Sequence, residues 1–182
     1  ELKKLTNSVH SYGAKASIQL GHCGNMTHRA TCGCMPVGAS SGFNLYSPTF
    51  VRALRRDEIY SLVDDFGNAV NLAREAGFDC VEIHAGHGYL ISQFLSPYTN
   101  HRHDEFGGSL DNRMRFMRLV IERVMKEAGD DMGVIVKVNM HDGFKRGMQT
   151  DECLLVTKEL ERLGVHALVL TAGFVSKAPM EV

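Results

Sequence analysis

Four times along the chain a helical stretch ends in a glycine and is followed by a short β-branched run. Gly13 precedes residues 14–20 (AKASIQL), Gly77 precedes 80–84 (CVEIH), Gly129 shortly precedes 134–139 (VIVKVN) and Gly164 precedes 167–171 (ALVLT). A glycine just past a helix takes the left-handed conformation at little steric cost. The runs are nearly continuous in apolar residues rather than alternating, the pattern of strands buried on both faces of a parallel sheet. Between them, apolar positions recur at helical spacing. In 57–76 they are Ile59, Leu62, Val63, Phe66, Val70 and Ala73; in 111–128 they are Phe116, Met117, Val120, Ile121 and Val124. In 151–163 they are Cys153, Val156, Leu160 and Leu163, with Thr150 as the expected N-cap. Residues 2–12 read as the end of another helix. Met114, Met117 and Met125 share the helical spacing and read as core filling.

Alternating strand and helix predicts an α/β fold, either an open doubly wound sheet or an eight-fold barrel. No GxGxxG follows a strand, which counts against a dinucleotide-binding sheet. The segments after the first two strands are long, residues 21–55 and 85–110. A (βα)8 TIM barrel builds its active face from such loops, but four strands do not close one, whose usual length is about 250 residues. The expectation is one domain over residues 1–182, a partial barrel of about four parallel strands, incomplete at both ends.

Composition narrows the function. Apolar residues make up 44% of the chain and charged residues 23%, with a formal net charge of −1. Such a chain lacks the basic field that would attract nucleic acid. Its apolar runs fall short of the roughly 20 residues that span a bilayer, and no charged-then-apolar leader opens it. Five cysteines without paired spacing argue against a disulfide framework and for a reducing, cytoplasmic setting.

The chemistry-bearing side chains gather after the second strand. His84 and His87 stand at its exit, with Tyr89 two residues on. Two imidazoles and a phenol form a hydrogen-bonding and proton-transfer set. Histidines at a strand end are also commonly satisfied structural groups, so spacing alone leaves both readings open.

The flanking text separates them. GYLISQFLSP, then N-x-R-x-D-x-F-G-G-S, then D-N-R-M-R-F, all within residues 84–116, resemble in order the signature of the Old Yellow Enzyme family. IQLGHCGN at 18–25, PVGASS at 36–41 and RDEIYSLVDDFGNAVNLAREAGFDCVEIH at 56–84 are similar to that family's strand three, its following loop, and its helix three with strand four. The resemblance covers nearly the whole chain. It implies an eight-stranded βα barrel carrying FMN, of which this chain holds strands three to six. Strands one, two, seven and eight, and with them the segment that holds the FMN phosphate, are then expected outside it.

The resemblance also implies a reaction and roles. NAD(P)H reduces the flavin, and the reduced flavin passes hydride to the β-carbon of a small activated alkene: an enone, enoate or dienoyl thioester. His84 and His87 are implied to hydrogen-bond the substrate carbonyl, and Tyr89 to protonate the α-carbon. Gln19 matches the glutamine on the flavin pyrimidine edge. Lys137 stands where the family usually has arginine, offering a point charge in place of a planar fork. Arg102, Asp104, Arg113 and Arg115 are expected to form an ion-pair network shaping the loop. Gly107 and Gly108 are expected to supply a positive-φ turn, and Ser109 to cap the next helix.

Other readings stay open. The chain by itself could be an inactive, flavin-free half-barrel that self-associates through open sheet edges, a homo-oligomer of another class. A metal-dependent hydrolase could use His84, His87 and Asp142. Cys23, Cys32 and Cys34 share a loop with His22 and His28, yet C-x8-C-x-C is not a familiar metal spacing, and no metal is expected.

Overall fold

The computed structural model describes residues 1–176. In chain order its elements are α1 (Leu2–Ser11), β1 (Ser17–Leu20), α2 (Arg29–Cys32), β2 (Val37–Gly38), β3 (Gly42–Asn44), β4 (Thr49–Ala53), α3 (Arg56–Glu75), β5 (Cys80–Ala85), α4 (Leu90–Leu95), α5 (Leu110–Ala128), β6 (Gly133–Asn139), α6 (Thr150–Arg162) and β7 (Ala167–Thr171). The four β-branched runs lie side by side as one sheet in the order β1-β5-β6-β7, every pair parallel. Sequential parallel strands joined by helices are the repeating unit of a βα barrel, and this sheet is a partial one.

The register sorts the side chains. Gln19 pairs with Glu82, His84 with Lys137, Lys137 with Val169, and Asn139 with Thr171. Successive side chains on a strand alternate faces. One face therefore carries Gln19, Glu82, His84, Lys137, Asn139 and Thr171. The other carries Val81, Ile83, Val134, Val136 and Val138, all fully buried against the helices. Ile59, Phe66 and Val70 of α3 and Phe116, Val120 and Val124 of α5 complete that core. Burying a side chain of this size stabilises by about 1.5–3 kcal/mol. Gly67 lets α5 approach α3, since a Cβ there would lie 2.7 Å from Arg123 Nε.

Several expectations are corrected. The first strand begins at Ser17, not at residue 14, because Asp79 holds the approach as coil: it accepts from Ala16 N at 2.9 Å and from Lys15 Nζ at 2.7 Å. Burial on both faces does not hold: on β5 and β6 one face is buried, but Glu82, Ile135 and Lys137 on the other are only half-buried. β1 and β7 are the sheet's outer strands, and on β7 Leu170 is 56% exposed. Thr150 is the first residue of α6; Gln149 is its N-cap and makes no side-chain cap. Gly108 has positive φ but Gly107 does not. Gly107 is small for another reason, since its Cβ would lie 2.4 Å from Arg102 O. Ser109 does cap α5, its Oγ accepting from Asn112 N at 3.3 Å.

The two long segments have structure of their own. Residues 21–55 contain α2 and a small sheet in the order β2-β4-β3. Residues 85–110 contain α4, all six of whose residues are buried.

Candidate functional site

β5 delivers His84 to the sheet exit, and the chain then turns sharply. His87 is the non-glycine residue with positive φ (59°) among the described residues, and Gly88 follows at 82°. Such backbone is disfavoured for a side chain larger than glycine and persists where surrounding contacts over-determine it. Here they do. The His87 N–H donates to Asn139 Oδ1 at 2.9 Å, and His87 O accepts from Val175 N at 3.1 Å. A Cβ on Gly86 would lie 2.8 Å from Asn139 Oδ1, and one on Gly88 2.4 Å from the Phe174 ring.

The turn brings the sequence-predicted groups together. The His84 and His87 rings are 5.2 Å apart between centroids, and the His84 and Tyr89 rings 4.9 Å. His84 is 7% exposed and His87 9%. Burial, then the nearby His87 and Lys137 charges, push the His84 imidazolium down to about 4. Burial, followed by Lys137, pushes His87 down as well. Both rings are therefore neutral near pH 7, each with one N–H donor and one acceptor nitrogen. His87 Nε2 is engaged with Thr171 Oγ1 at 2.6 Å. His84 Nδ1 is buried with no hydrogen-bond partner. A buried imidazole nitrogen left unpaired is costly, and it marks a place where a ligand atom would be welcome.

Gln19 and Lys137 lie on the same sheet face as His84. Gln19 is exposed, and its amide donates to the Glu82 carboxylate. Lys137 is half-buried beside His84 in the register.

A second layer holds this exit in place. The fully buried Asn139 donates from Nδ2 to Asp142 Oδ1 at 3.0 Å and to Gly173 O at 2.8 Å. Asp142 Oδ2 accepts from Met148 N at 2.6 Å. Burial raises the Asp142 carboxyl despite hydrogen bonds from Ser96, Met148 and Asn139. Asp142 thus serves the turn through Asn139 rather than joining His84 and His87. Among the described residues no group of three His, Cys, Asp or Glu side chains converges as metal ligands. Gln93, also fully buried, donates to Gly88 O at 2.7 Å and to Asn25 Oδ1 at 2.9 Å.

The expected ion-pair network is instead a set of separate arginine contacts, two of them ion pairs and the third, from Arg115, to a backbone carbonyl. Arg102 donates to Ala39 O at 3.0 Å and Leu54 O at 2.7 Å, and pairs with Asp104 at 2.6 Å. Buried Arg113 reaches Leu95 O, Gly108 O and Glu152. Arg115 donates to Glu105 O at 2.9 Å.

Asn139, Thr171, Gln93 and Asn100 were not predicted from sequence. Asn139 and Thr171 did carry a signal, since each is the polar last residue of an apolar strand, as His84 nearly is. A cleft of about 360 Å³ opens beside the site, between the β3–β4 hairpin and the loop after α4. Asn25, Asn44, Tyr46, Tyr98 and His101 line it, whereas His84, His87 and Tyr89 do not.

Residues 1–176 match the family model described as NADH:flavin oxidoreductase / NADH oxidase. The chain is 37% identical to a 4,4'-dithiodibutanoate disulfide reductase of Rhodococcus erythropolis, over 94% of this chain and 43% of that protein. It is 40% identical to an NADPH dehydrogenase of Listeria monocytogenes, over 98% of this chain and 52% of that one. Its fold is similar to that of an old yellow enzyme homologue from Zymomonas mobilis, with a TM-score of 0.86 and 34% identity over 96% of this chain and 52% of the other. The chain spans about half the length of these relatives, or less.

Proposed function

Since the chain belongs to the NADH:flavin oxidoreductase / NADH oxidase family, with the Old Yellow Enzyme type of barrel, we propose that its protein transfers hydride from NAD(P)H through FMN to the activated C=C bond of an enone, enoate or dienoyl thioester. The observation that carries this reading is the buried, unpaired His84 Nδ1 beside a neutral His87. Neutral imidazoles can donate to a carbonyl oxygen without carrying a charge that water would have to solvate.

The donor set suits a flavin. Gln19 offers an amide, Lys137 a cation and His84 a buried nitrogen without a partner, all on one sheet face. Gln19 and Lys137 would hold the ring, and a bound FMN would supply the two-electron hydride chemistry. The protein's part is to bind, orient and polarise. His84 and His87 donate to the substrate carbonyl, stabilising the negative charge that develops on that oxygen. Thr171 fixes the His87 ring so that Nδ1 is the nitrogen left for substrate. Tyr89 passes its phenolic proton to the α-carbon. The relatives' printed activities, disulfide reduction and NADPH dehydrogenation, are likewise two-electron redox reactions. Five free thiols accord with a cytoplasmic setting.

Stopped-flow measurement on the full-length protein tests this reading. Tyr89→Phe should slow alkene reduction while sparing flavin reduction by NAD(P)H; equal loss in both half-reactions removes Tyr89 as proton donor. His84→Ala and His87→Ala should each weaken phenol binding, and unchanged phenol affinity in both refutes their role on the carbonyl.

A second reading concerns the chain taken by itself. β7 presents Leu168, Val169 and Leu170 with 36% or more of each exposed, and an uncovered apolar edge invites pairing. A flavin-free, self-associating half-barrel would elute above monomer size and leave flavin fluorescence unquenched.

A further inference from the structure

The loop between β1 and β2 carries two thiols that neither the core nor the histidine site uses. Cys32 closes α2, and Cys34 follows with Gly33 between them at φ 71°. Both cysteines are exposed. Their Sγ atoms stand 3.8 Å apart, and Cys32 Sγ donates to Cys34 O at 3.2 Å. A Cβ placed on Gly33 would meet nothing within 4 Å, so the turn has open space around it. A disulfide needs its sulfurs about 2 Å apart, so a short movement in an uncrowded turn joins them. Of the other cysteines, Cys153 is buried with its thiol on Asn139 O at 2.7 Å, half-buried Cys80 lies on β5, and Cys23 is exposed.

The two sulfurs are also chemically unequal. Hydrogen bonds received by the Cys32 sulfur, chiefly from the Cys34 backbone, lower its thiol, while the hydrogen bond and charge of Cys32 raise Cys34. A thiolate is the attacking form, and its neighbour in reach is the resolving group.

We propose that Cys32 and Cys34 form a thiol–disulfide exchange site for small organic disulfides of the glutathione type. The Cys32 thiolate attacks one sulfur of the disulfide. A bond forms between Cys32 and that sulfur, the substrate S–S bond breaks, and the first thiolate leaves and takes up a proton. Cys34, losing its proton to solvent, then attacks Cys32 Sγ and expels the second thiolate, which is protonated in turn. The pair is oxidised by two electrons to a disulfide, and one organic disulfide is reduced to two thiols. Excess small thiol reverses both steps. The site is independent of the flavin reading and is tested without activity.

The test treats the reduced full chain with oxidised and reduced glutathione at graded ratios, quenches in acid, alkylates and maps tryptic peptides by mass. Cleavage after Arg29 and Arg52 leaves both cysteines on one peptide, and Cys23 on another. The expected result is conversion of the 30–52 peptide to its internally joined form while Cys80 and Cys153 remain alkylated. Cys34→Ser should accumulate glutathione on Cys32, and Cys32→Ser should lose most of the adduct at Cys34. Glutathione spread evenly over Cys23, Cys32 and Cys34, or no internally joined peptide at any ratio, overturns the proposal.

Discussion

Asn139 Oδ1 accepts the His87 N–H at 2.9 Å, so the end of β6 holds the left-handed turn at the end of β5. The bond joins residues that are far apart in sequence, yet it sets where an imidazole of the candidate site stands.

Asn139→Ala leaves that N–H buried and unpaired, along with Gly173 O, and takes one of its donors from Asp142. An orphaned buried group costs about 1–3 kcal/mol. Urea unfolding should show the variant destabilised by at least that much, and an unchanged midpoint would remove Asn139 as the clamp.

Asp142→Asn tests the layer behind. Both carboxylate oxygens accept, one from Asn139 and one from Met148 N. An amide has only one acceptor oxygen and would set its NH2 against a donor. A loss of about 1–3 kcal/mol is expected, although the substitution relieves the burial of a carboxylate. Stabilisation by Asn would show that desolvation outweighs the carboxylate's hydrogen bonds.

The His84 ring makes stability depend on pH. Its folded value is about 4, against 6.5 unperturbed. Between these the unfolded chain binds a proton that the folded chain refuses, so stability falls as pH drops from about 6.5 toward 4. His87, shifted the same way, adds to the slope. Asp142, raised by burial, opposes it: its contribution is present below the ordinary aspartate value and lost as pH rises through the folded one. His84→Asn should flatten the loss between pH 6.5 and 4 in denaturant midpoints, and a slope identical to the parent's would show that the ring does not titrate as described.

Arg102→Lys tests the loop network. A lysine cannot reach Ala39 O, Leu54 O and Asp104 together, because it lacks the guanidinium fork. Faster limited proteolysis within residues 21–55 is expected, and a destabilisation of about 1–3 kcal/mol. Cleavage confined to 85–110 would show that Arg102 serves its own loop only.

Much of this was legible in the sequence because it is local. Apolar runs after glycines marked the sheet, and helical spacing marked α3, α5 and α6. The text around His84 identified the family. What was hidden depends on residues far apart in the chain. Gln93 bonds Asn25 and Thr171 meets His87, neither visible in a spacing; Asn100 bonds the nearby Phe94 O and Phe106 O, but only the folded loop turns its amide onto both. The hairpin β3–β4 was missed although Ser47-Pro48 is a turn signal; its strands are too short to show a period. The helix start at Thr150 was misplaced because a hydroxyl suits both the N-cap and the first turn.

Arg102 reaches out of one loop to grip the backbone carbonyls of Ala39 and Leu54 in another. The two loops are therefore one inheritable part. Exchanging either alone with a relative strands a guanidinium or two carbonyls, whereas a graft that carries 21–55 and 85–110 together keeps the joint intact. Anyone reshaping the cleft between them has to move the pair.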